Sequence, residues 1–287
     1  MTERIGNVIL DYRDYDGEDR YADGAVFDEL LSIAKEYDPE DFDRVVAERK
    51  SWPVMKHFSG IRANILEWYP GISGSKVLEL GSGCGALTGM LAAKAASVTC
   101  VEASRTKSLI NAHRNRGRDN IEIRVGRFGD AEKSLPTDYD VITLAGSFEC
   151  AADFIQSDRP YEDLLRLVRM HLAEDGVLLI AVSNRLGLKY FAGCAEDHTG
   201  GYFDGITGYA DTPGVRTFAK PELEKLLAEA GFDEAAFYYP YPDHNFPMSV
   251  YSDRWLPRQG DLRNNIVNYD RKRLIIFDEA KAYYSLT

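Results

Sequence analysis

An α/β fold built on a mostly parallel sheet is what this 287-residue chain predicts, and three observations predict it. From Lys76 onward, short apolar runs alternate with amphipathic helical stretches. The runs are apolar almost throughout, as in strands covered on both faces. The first run ends in a cluster of glycines, where a strand should turn into a helix.

The elements follow in order. Residues 1–25 mix Asp, Glu and Tyr (DYRDYDGEDRYADG) and read as an irregular arm or short hairpin. AVFDELLSIAKEY (25–37) and GIRANILEWY (60–69) carry helical spacing, so a helical front is expected before Pro70, Gly71 and Gly74. KVLELG is the first strand of the alternation, ALTGMLAAKAA a helix and SVTCVEA the second strand. SLINAHRNR is a helix, IEIRVG the third strand, DVITLAG the fourth, YEDLLRLVRMHL a helix and GVLLIAVSN the fifth. PELEKLLAEAGF is a helix, with Pro221 suited to its first turn and Gly231 to its end. AAFYYPYP and RLIIFDE are read as the last two strands. Two insertions interrupt the pattern, at 184–217 and 240–270. The first is rich in Gly and aromatics and too long for an ordinary connection, which points to function. The expected division is an arm and helical cap at 1–70 and one larger domain at 71–287.

Composition narrows the function. The formal net charge is −12 and the hydrophobic content 45%, so general binding of nucleic acid or anionic membrane is disfavoured. The charge is uneven. Residues 1–50 hold 7 Lys/Arg against 15 Asp/Glu, whereas residues 103–127 hold 7 against 2. No apolar run approaches the roughly 18 residues that span a bilayer. The N-terminus lacks the features of a signal peptide. Cys84, Cys100, Cys150 and Cys194 show no CxxC or zinc-ligand spacing, so reduced thiols, a cytoplasmic location and no metal are expected.

The sharpest motif is VLELGSGCGALTG, with Glu79-x-Gly81-x-Gly83-x-Gly85 at the strand-to-helix turn. Glycines there let backbone run close to a ligand and leave amides facing the crevice. Gly81, Gly83 and Ala86 also fit the dinucleotide pattern. Glu102 ends the next strand 17 residues past Gly85, where a carboxylate accepts both ribose hydroxyls of an adenosine. That residue supports a nucleoside cofactor without choosing which.

The acidic residue ahead of the glycines resembles motif I of class I S-adenosylmethionine (SAM) dependent methyltransferases. The resemblance implies a Rossmann-like seven-stranded sheet whose last strand is antiparallel, SAM as cofactor and S-adenosylhomocysteine as product. Cofactor contacts would then come from Glu79, Gly81, Ser82, Gly83, Gly85, Glu102 and Ala103. The turn after the third strand, Gly126-Arg127-Phe128, would border the adenine, with Arg127 where many members carry an acid and Phe128 able to pack on the ring. Gly146 would line the methionine part, and Glu149 just beyond it would bind substrate or cap a helix.

Longer stretches (GEDRYADG, LEWYPG, SNRLGLKYFAGCAEDHTGGYFDGITGY and YYPYPD) resemble bacterial methyltransferase domains found near or fused to glycosyltransferases of surface-polysaccharide clusters. That implies methylation of a glycan or other small molecule, association with a glycosyltransferase, and either a short member or a module of a longer protein. The acceptor atom stays open among O, N and C.

Methyl transfer to a hydroxyl needs alignment and a base. His198 in EDHTGG is the base candidate, with Asp197 and Glu196 to orient it. Asn184, Arg185 and Lys189 are candidates for polar acceptor groups, and Tyr202, Phe203, Asp204 and Tyr209 for the pocket wall. His57 and His113 are weaker candidates, the latter on a basic helix suited either to a phosphorylated acceptor or to solvent. The arm at 11–23 is read as a flap over the site or a homodimer contact. Three alternatives stand beside this reading: a nucleic-acid or protein methyltransferase, an NAD(P)-dependent oxidoreductase, and a non-catalytic SAM-binding scaffold.

Overall fold

The structure, a computed structural model, describes residues 1–19, 24–191, 193–210 and 214–261. The N-terminus forms a hairpin of β1 (Thr2–Ile5) and β2 (Val8–Asp11), turned at Gly6 with φ 58°. The cap follows as α1 (Ala25–Glu36), α2 (Phe42–Arg49), α3 (Trp52–Phe58) and a 3-10 turn at Gly60–Ile65. The alternation runs β3 (Lys76–Leu80), α4 (Thr88–Lys94), β4 (Ser97–Glu102), α5 (Arg105–Arg114) and β5 (Ile121–Val125). It continues with single-turn α6 (Phe128–Ala131), β6 (Tyr139–Ala145), single-turn α7 (Ala151–Phe154), α8 (Pro160–His171) and β7 (Leu172–Ala181). The first insertion holds single turns α9 (Leu188–Phe191) and α10 (Asp204–Thr207). Beyond it come α11 (Lys220–Glu229) and a hairpin of β8 (Tyr238–Tyr241) and β9 (Ser249–Ser252).

The main sheet has seven strands in the order β1-β2-β5-β4-β3-β6-β7, all parallel except β1. This is the expected Rossmann-like sheet, mostly parallel with one antiparallel strand. Among the described residues the antiparallel strand is the first rather than the last. A tight hairpin forces β1 against β2, and β2 then pairs parallel with β5 through Leu10 and Ile123. The segment RLIIFDE, and with it residues 262–270 of the second insertion, lies outside the described residues. AAFYYPYP does not join the main sheet. Its residues 238–241 pair with β9 in a separate two-stranded sheet. Pro240 and Pro242 lack the N–H donors a central strand needs.

Strand order reverses at β3, so its carboxyl end opens on the crevice where such sheets bind ligands. One sheet face buries Val77, Val98, Ile123 and Leu91, and the other Leu78, Leu80, Ile142, Leu144 and Leu164. A third core joins the cap residues Leu30, Ile33, Phe42, Val54 and Phe58 to Cys84 of the glycine turn and Ile110 of α5. The cap is therefore packed directly onto the turn.

The uneven charge is largely consumed within the chain. Arg116 pairs with Asp38 and donates to the carbonyl of Ala34, Arg124 pairs with Asp11, and Arg127 reaches Asp16. Arg114 is buried between the rings of Phe42 and Phe58 and donates to the carbonyl of His57. Asp19 accepts from the Ser104 hydroxyl at 2.6 Å and from the Thr106 N–H at 2.8 Å, tying the arm to the first turn of α5. Asp19→Ala should cost about 1 kcal/mol, the worth of a helix cap. A lowered denaturation midpoint with faster proteolysis of the arm would report it, and an unchanged midpoint would refute it.

Candidate active site

The glycine turn is held from beneath. A Cβ on Gly81 would stand 2.6 Å from Ser147 Cβ, and one on Gly85 would stand 2.3 Å from Asn111 Oδ1, so both positions are closed to any larger residue. Gly83, at φ 54°, faces open space instead. Glu79 is buried under the turn. Its Oε2 accepts from the Thr88 hydroxyl at 2.6 Å and the Cys100 thiol at 3.4 Å, and Asn111 Nδ2 donates to Thr88 Oγ1 at 3.0 Å. This carboxyl is thus a brace for the turn.

Burial pushes Glu79 up to about 7. The folded state then holds a proton that the unfolded state has lost, so stability of the ligand-free protein should fall as pH rises from about 4.5 to about 7. The full effect is roughly 3 kcal/mol. Glu79→Gln removes the titration, and its melting temperature relative to the natural protein should rise across that window. A constant difference would overturn the assignment.

Glu102 sits at the end of β4. Its Oε2 accepts from the Gly83 N–H at 2.8 Å and its Oε1 from the Ser104 N–H at 2.9 Å. Beside it Ala103, Gly126 and Arg127 face Asp14, Tyr15, Asp16 and Glu18 of the arm around a cavity of about 10 Å³, room for one water. The arm therefore folds over this end of its own chain. Phe128 corrects the sequence reading. It is fully buried with its ring edge-on to His171 at 5.8 Å, so it is core and has no face to offer an adenine.

A second group gathers where β6 ends. Gly146 has φ 71°, and a Cβ there would lie 3.6 Å from His244 Nε2. Burial, then Arg62, Lys189 and Lys56, push His244 down to about 3, with Asp197 opposing. Burial, then Lys56 and Arg62, bring His57 to about 3 as well. Both imidazoles are neutral at physiological pH. Arg62 Nη1 donates to Asn245 Oδ1 at 2.8 Å and Asn64 Nδ2 to the Pro247 carbonyl at 2.9 Å, so the cap and the second insertion are fastened together around His244. Lys189 and Asp197 meet at 2.7 Å. Lys189 and the Tyr190 hydroxyl hold Asp197 below the usual carboxylate range against the cost of burial.

The other predicted site residues are placed differently. His198 is exposed, with its backbone N–H on Glu196 Oε2 at 2.7 Å, and its charge reaches Glu149 and Asp197. The imidazole beside Gly146 belongs to His244 instead. Glu149 is sealed from solvent. Its Oε1 accepts from the Ser183 N–H at 3.1 Å, its Oε2 has no partner, and burial raises its pKa. Arg185 bonds Glu222 at 2.7 Å and the Gly205 carbonyl at 3.1 Å. Asn184 closes a local turn onto the Leu186 N–H, and Asp204 accepts from the Thr199 hydroxyl at 2.6 Å. These side chains stitch the first insertion together and do not converge with Lys189. Tyr202 and Phe203 are exposed on it, and His113 lies off the site near Lys35 and Arg116.

The sequence reading passed over His244, Arg62 and Lys56. One signal was available: Asp-His in PDHNFP repeats the Asp-His of EDHTGG, in an equally Gly/Pro-flanked insertion. A larger open groove of about 610 Å³, lined by Asn64, Trp68, Tyr238, Pro247 and Met248 among others, shares no lining residue with the glycine turn and meets the His244 group at Asn64 and Pro247. Among the described residues no cluster of three or more His, Cys, Asp or Glu could hold a metal, and no helix is long and apolar enough to cross a membrane.

Residues 55–235 match the model of a family described as a methyltransferase domain. No curated protein matches the chain. Among solved structures, a SAM-dependent methyltransferase from Thermotoga maritima is 20% identical over 74% of this chain and 92% of its own, with a TM-score of 0.47. One from Aquifex aeolicus is 15% identical over 71% of this chain and 91% of its own, with a TM-score of 0.44. Phosphoethanolamine N-methyltransferase 1 of Haemonchus contortus is 20% identical over 55% of this chain, at a TM-score of 0.39; this chain covers 32% of that one's length.

Proposed function

We propose that this chain, a member of the methyltransferase-domain family, uses SAM to methylate a saccharide or another small polar acceptor. The observation that carries the proposal is the pairing of two features at the ends of neighbouring strands. One is an open glycine turn beside the Glu102 carboxylate. The other is a polar cluster where the cap meets the second insertion, with His244 against Gly146.

The turn fits the cofactor. Gly83 alone of the three motif glycines fronts open space, and Glu102 is an acceptor suited to ribose hydroxyls. Gly81, Gly83, Gly85, Glu102, Ala103 and Arg127 would hold it, with Ser82 and Glu79 keeping the turn in shape. SAM supplies an activated methyl on a sulfonium. The chain's own part is to align an acceptor and take its proton. His244, neutral and on the Gly146 side of the cluster, is the base in this reading, with Asp197 and Lys189 setting the charge around it. Trp52, exposed and edge-on to Phe246 at 5.6 Å, offers a face on which a sugar ring stacks. The helices from Ala25 to Ile65 act as the cap while β1 and β2 join the main sheet, the acceptor is received in the cytoplasm, and a glycosyltransferase is the natural partner of such a reaction.

Calorimetric titration with SAM, S-adenosylhomocysteine and NADH, followed by a methyl-transfer screen over nucleotide-sugars and glycans, tests the proposal. Binding of SAM and its product with turnover on a sugar supports it. Turnover on nucleic acid or protein alone would replace the acceptor class.

A further inference from the structure

We infer that the acceptor carries an oxyanion, a phosphate or a carboxylate, and that Lys56 and Arg62 of the cap bind it. The inference deepens the methyltransferase reading above and rests on it.

Arg62 is the first observation. Its Nε is buried and has no hydrogen-bond partner, while its Nη1 is pinned to Asn245 Oδ1 at 2.8 Å. A guanidinium is always charged, and a donor left unsatisfied in a buried site is costly unless a ligand completes it. Among the described residues no carboxylate lies within ion-pair distance of Arg62 or of Lys56. Lys56 is exposed, and Arg62 lies close enough to disfavour its charged form. Arg62 brings an unpaired buried N–H and Lys56 a second positive charge, and neither is ion-paired among the described residues, an arrangement that an anion would complete.

The acids nearby are each engaged by other partners. Asp197 is engaged by Lys189 at 2.7 Å and the Tyr190 hydroxyl at 3.2 Å. Asp243, the acid nearest Arg62, accepts the N–H groups of Asn245 at 2.7 Å and Phe246 at 3.0 Å. Lys107 adds to the field on Lys56, and His57, His244 and Cys84 are neutral. Lys56, Arg62 and Lys189 outnumber Asp197 and Asp243 here, so the cluster carries an excess of positive charge within a chain of net charge −12. Such an excess raises the local concentration of anions. Arg62 offers a planar fork and Lys56 a mobile point charge, the pair that grips an oxyanion from two sides.

The test titrates inorganic phosphate, succinate and neutral methyl glucoside into the full chain, with and without saturating S-adenosylhomocysteine. The variants are Lys56→Met, Arg62→Gln and, as a surface control, Lys133→Met. Phosphate or succinate should bind the natural protein, and each of the Lys56 and Arg62 variants should weaken it at least about tenfold. S-adenosylhomocysteine affinity should stay within about threefold, and Lys133→Met should change nothing. Preference between the two anions names the acceptor group. Lys56→Met carries the test should Arg62→Gln misfold, because Lys56 fills no core. Anion binding no better than that of the glycoside, or unchanged in Lys56→Met, overturns the inference. Failure of S-adenosylhomocysteine to bind, with anion binding intact, instead overturns the cofactor assignment.

Discussion

Gly83→Arg is expected to abolish binding of SAM and S-adenosylhomocysteine while leaving the protein folded. The three motif glycines look alike in sequence and differ in what surrounds them. At Gly83 a Cβ meets nothing within 4 Å, so the cost of substitution is confined to a left-handed backbone at φ 54°. That cost is about 1–2 kcal/mol, small against the 5–15 kcal/mol typical of a folded domain. The new side chain would enter the space in front of Glu102, whose Oε2 already reaches the Gly83 N–H at 2.8 Å. Affinity should fall by roughly 100-fold or more, equivalent to about 2.7 kcal/mol. Gly85→Ala is the contrasting variant. Its Cβ would fall 2.3 Å from Asn111 Oδ1, within the network that braces the turn, so it should lose stability before it loses specificity. Calorimetry and thermal denaturation on both variants separate the two effects. A folded Gly83→Arg that binds SAM as before would remove the cofactor from this turn.

Sheet and glycine turn were legible because each is local. An apolar run ending in Glu79-Leu80-Gly81 names its strand and its turn within ten residues, and the next strand places Glu102 at its end beside Gly83. Reading failed where position depends on contacts between distant segments. Arg185 and Asp204 sit in a glycine-rich insertion that looked like a pocket wall, yet their partners are Glu222 and Thr199, and they serve to fold that insertion. Phe128 follows the turn expected to border an adenine but packs inward on His171. Lys56, Arg62 and His244 come from the cap and from a segment some 180 residues later, joined through the bond between Arg62 and Asn245. Periodicity carries no record of such a meeting. The charge imbalance was equally visible and equally ambiguous. Its meaning depends on distant pairings, Arg116 with Asp38 and Arg124 with Asp11, which spend these cations on the acidic front of the chain.

His244→Ala should lower kcat by about 10²–10⁴-fold, the range a positioned base supplies, with S-adenosylhomocysteine affinity little changed. His198→Ala should leave kcat within about threefold, since that residue is exposed and it is His244 that lies against Gly146. A histidine at about 3 is a weak base as it stands. Burial is the largest cause of that depression, followed by Arg62, Lys189 and Lys56, against Asp197. An acceptor oxyanion between Lys56 and Arg62 would offset those cations, and His244 would recover basicity only in the acceptor complex. The sign is then determined. Imidazole must be neutral to accept the proton, so activity is lost as pH falls through its pKa. In kcat, which reports the acceptor complex, that acid limb should appear above 3; in kcat/KM, which reports the free enzyme, His244 should contribute none between pH 5 and 8. His244→Gln should erase the limb in kcat along with most of the rate. An acid limb that survives the substitution, or a variant of undiminished kcat, would assign the proton to another group and leave His244 as a structural part of the cluster.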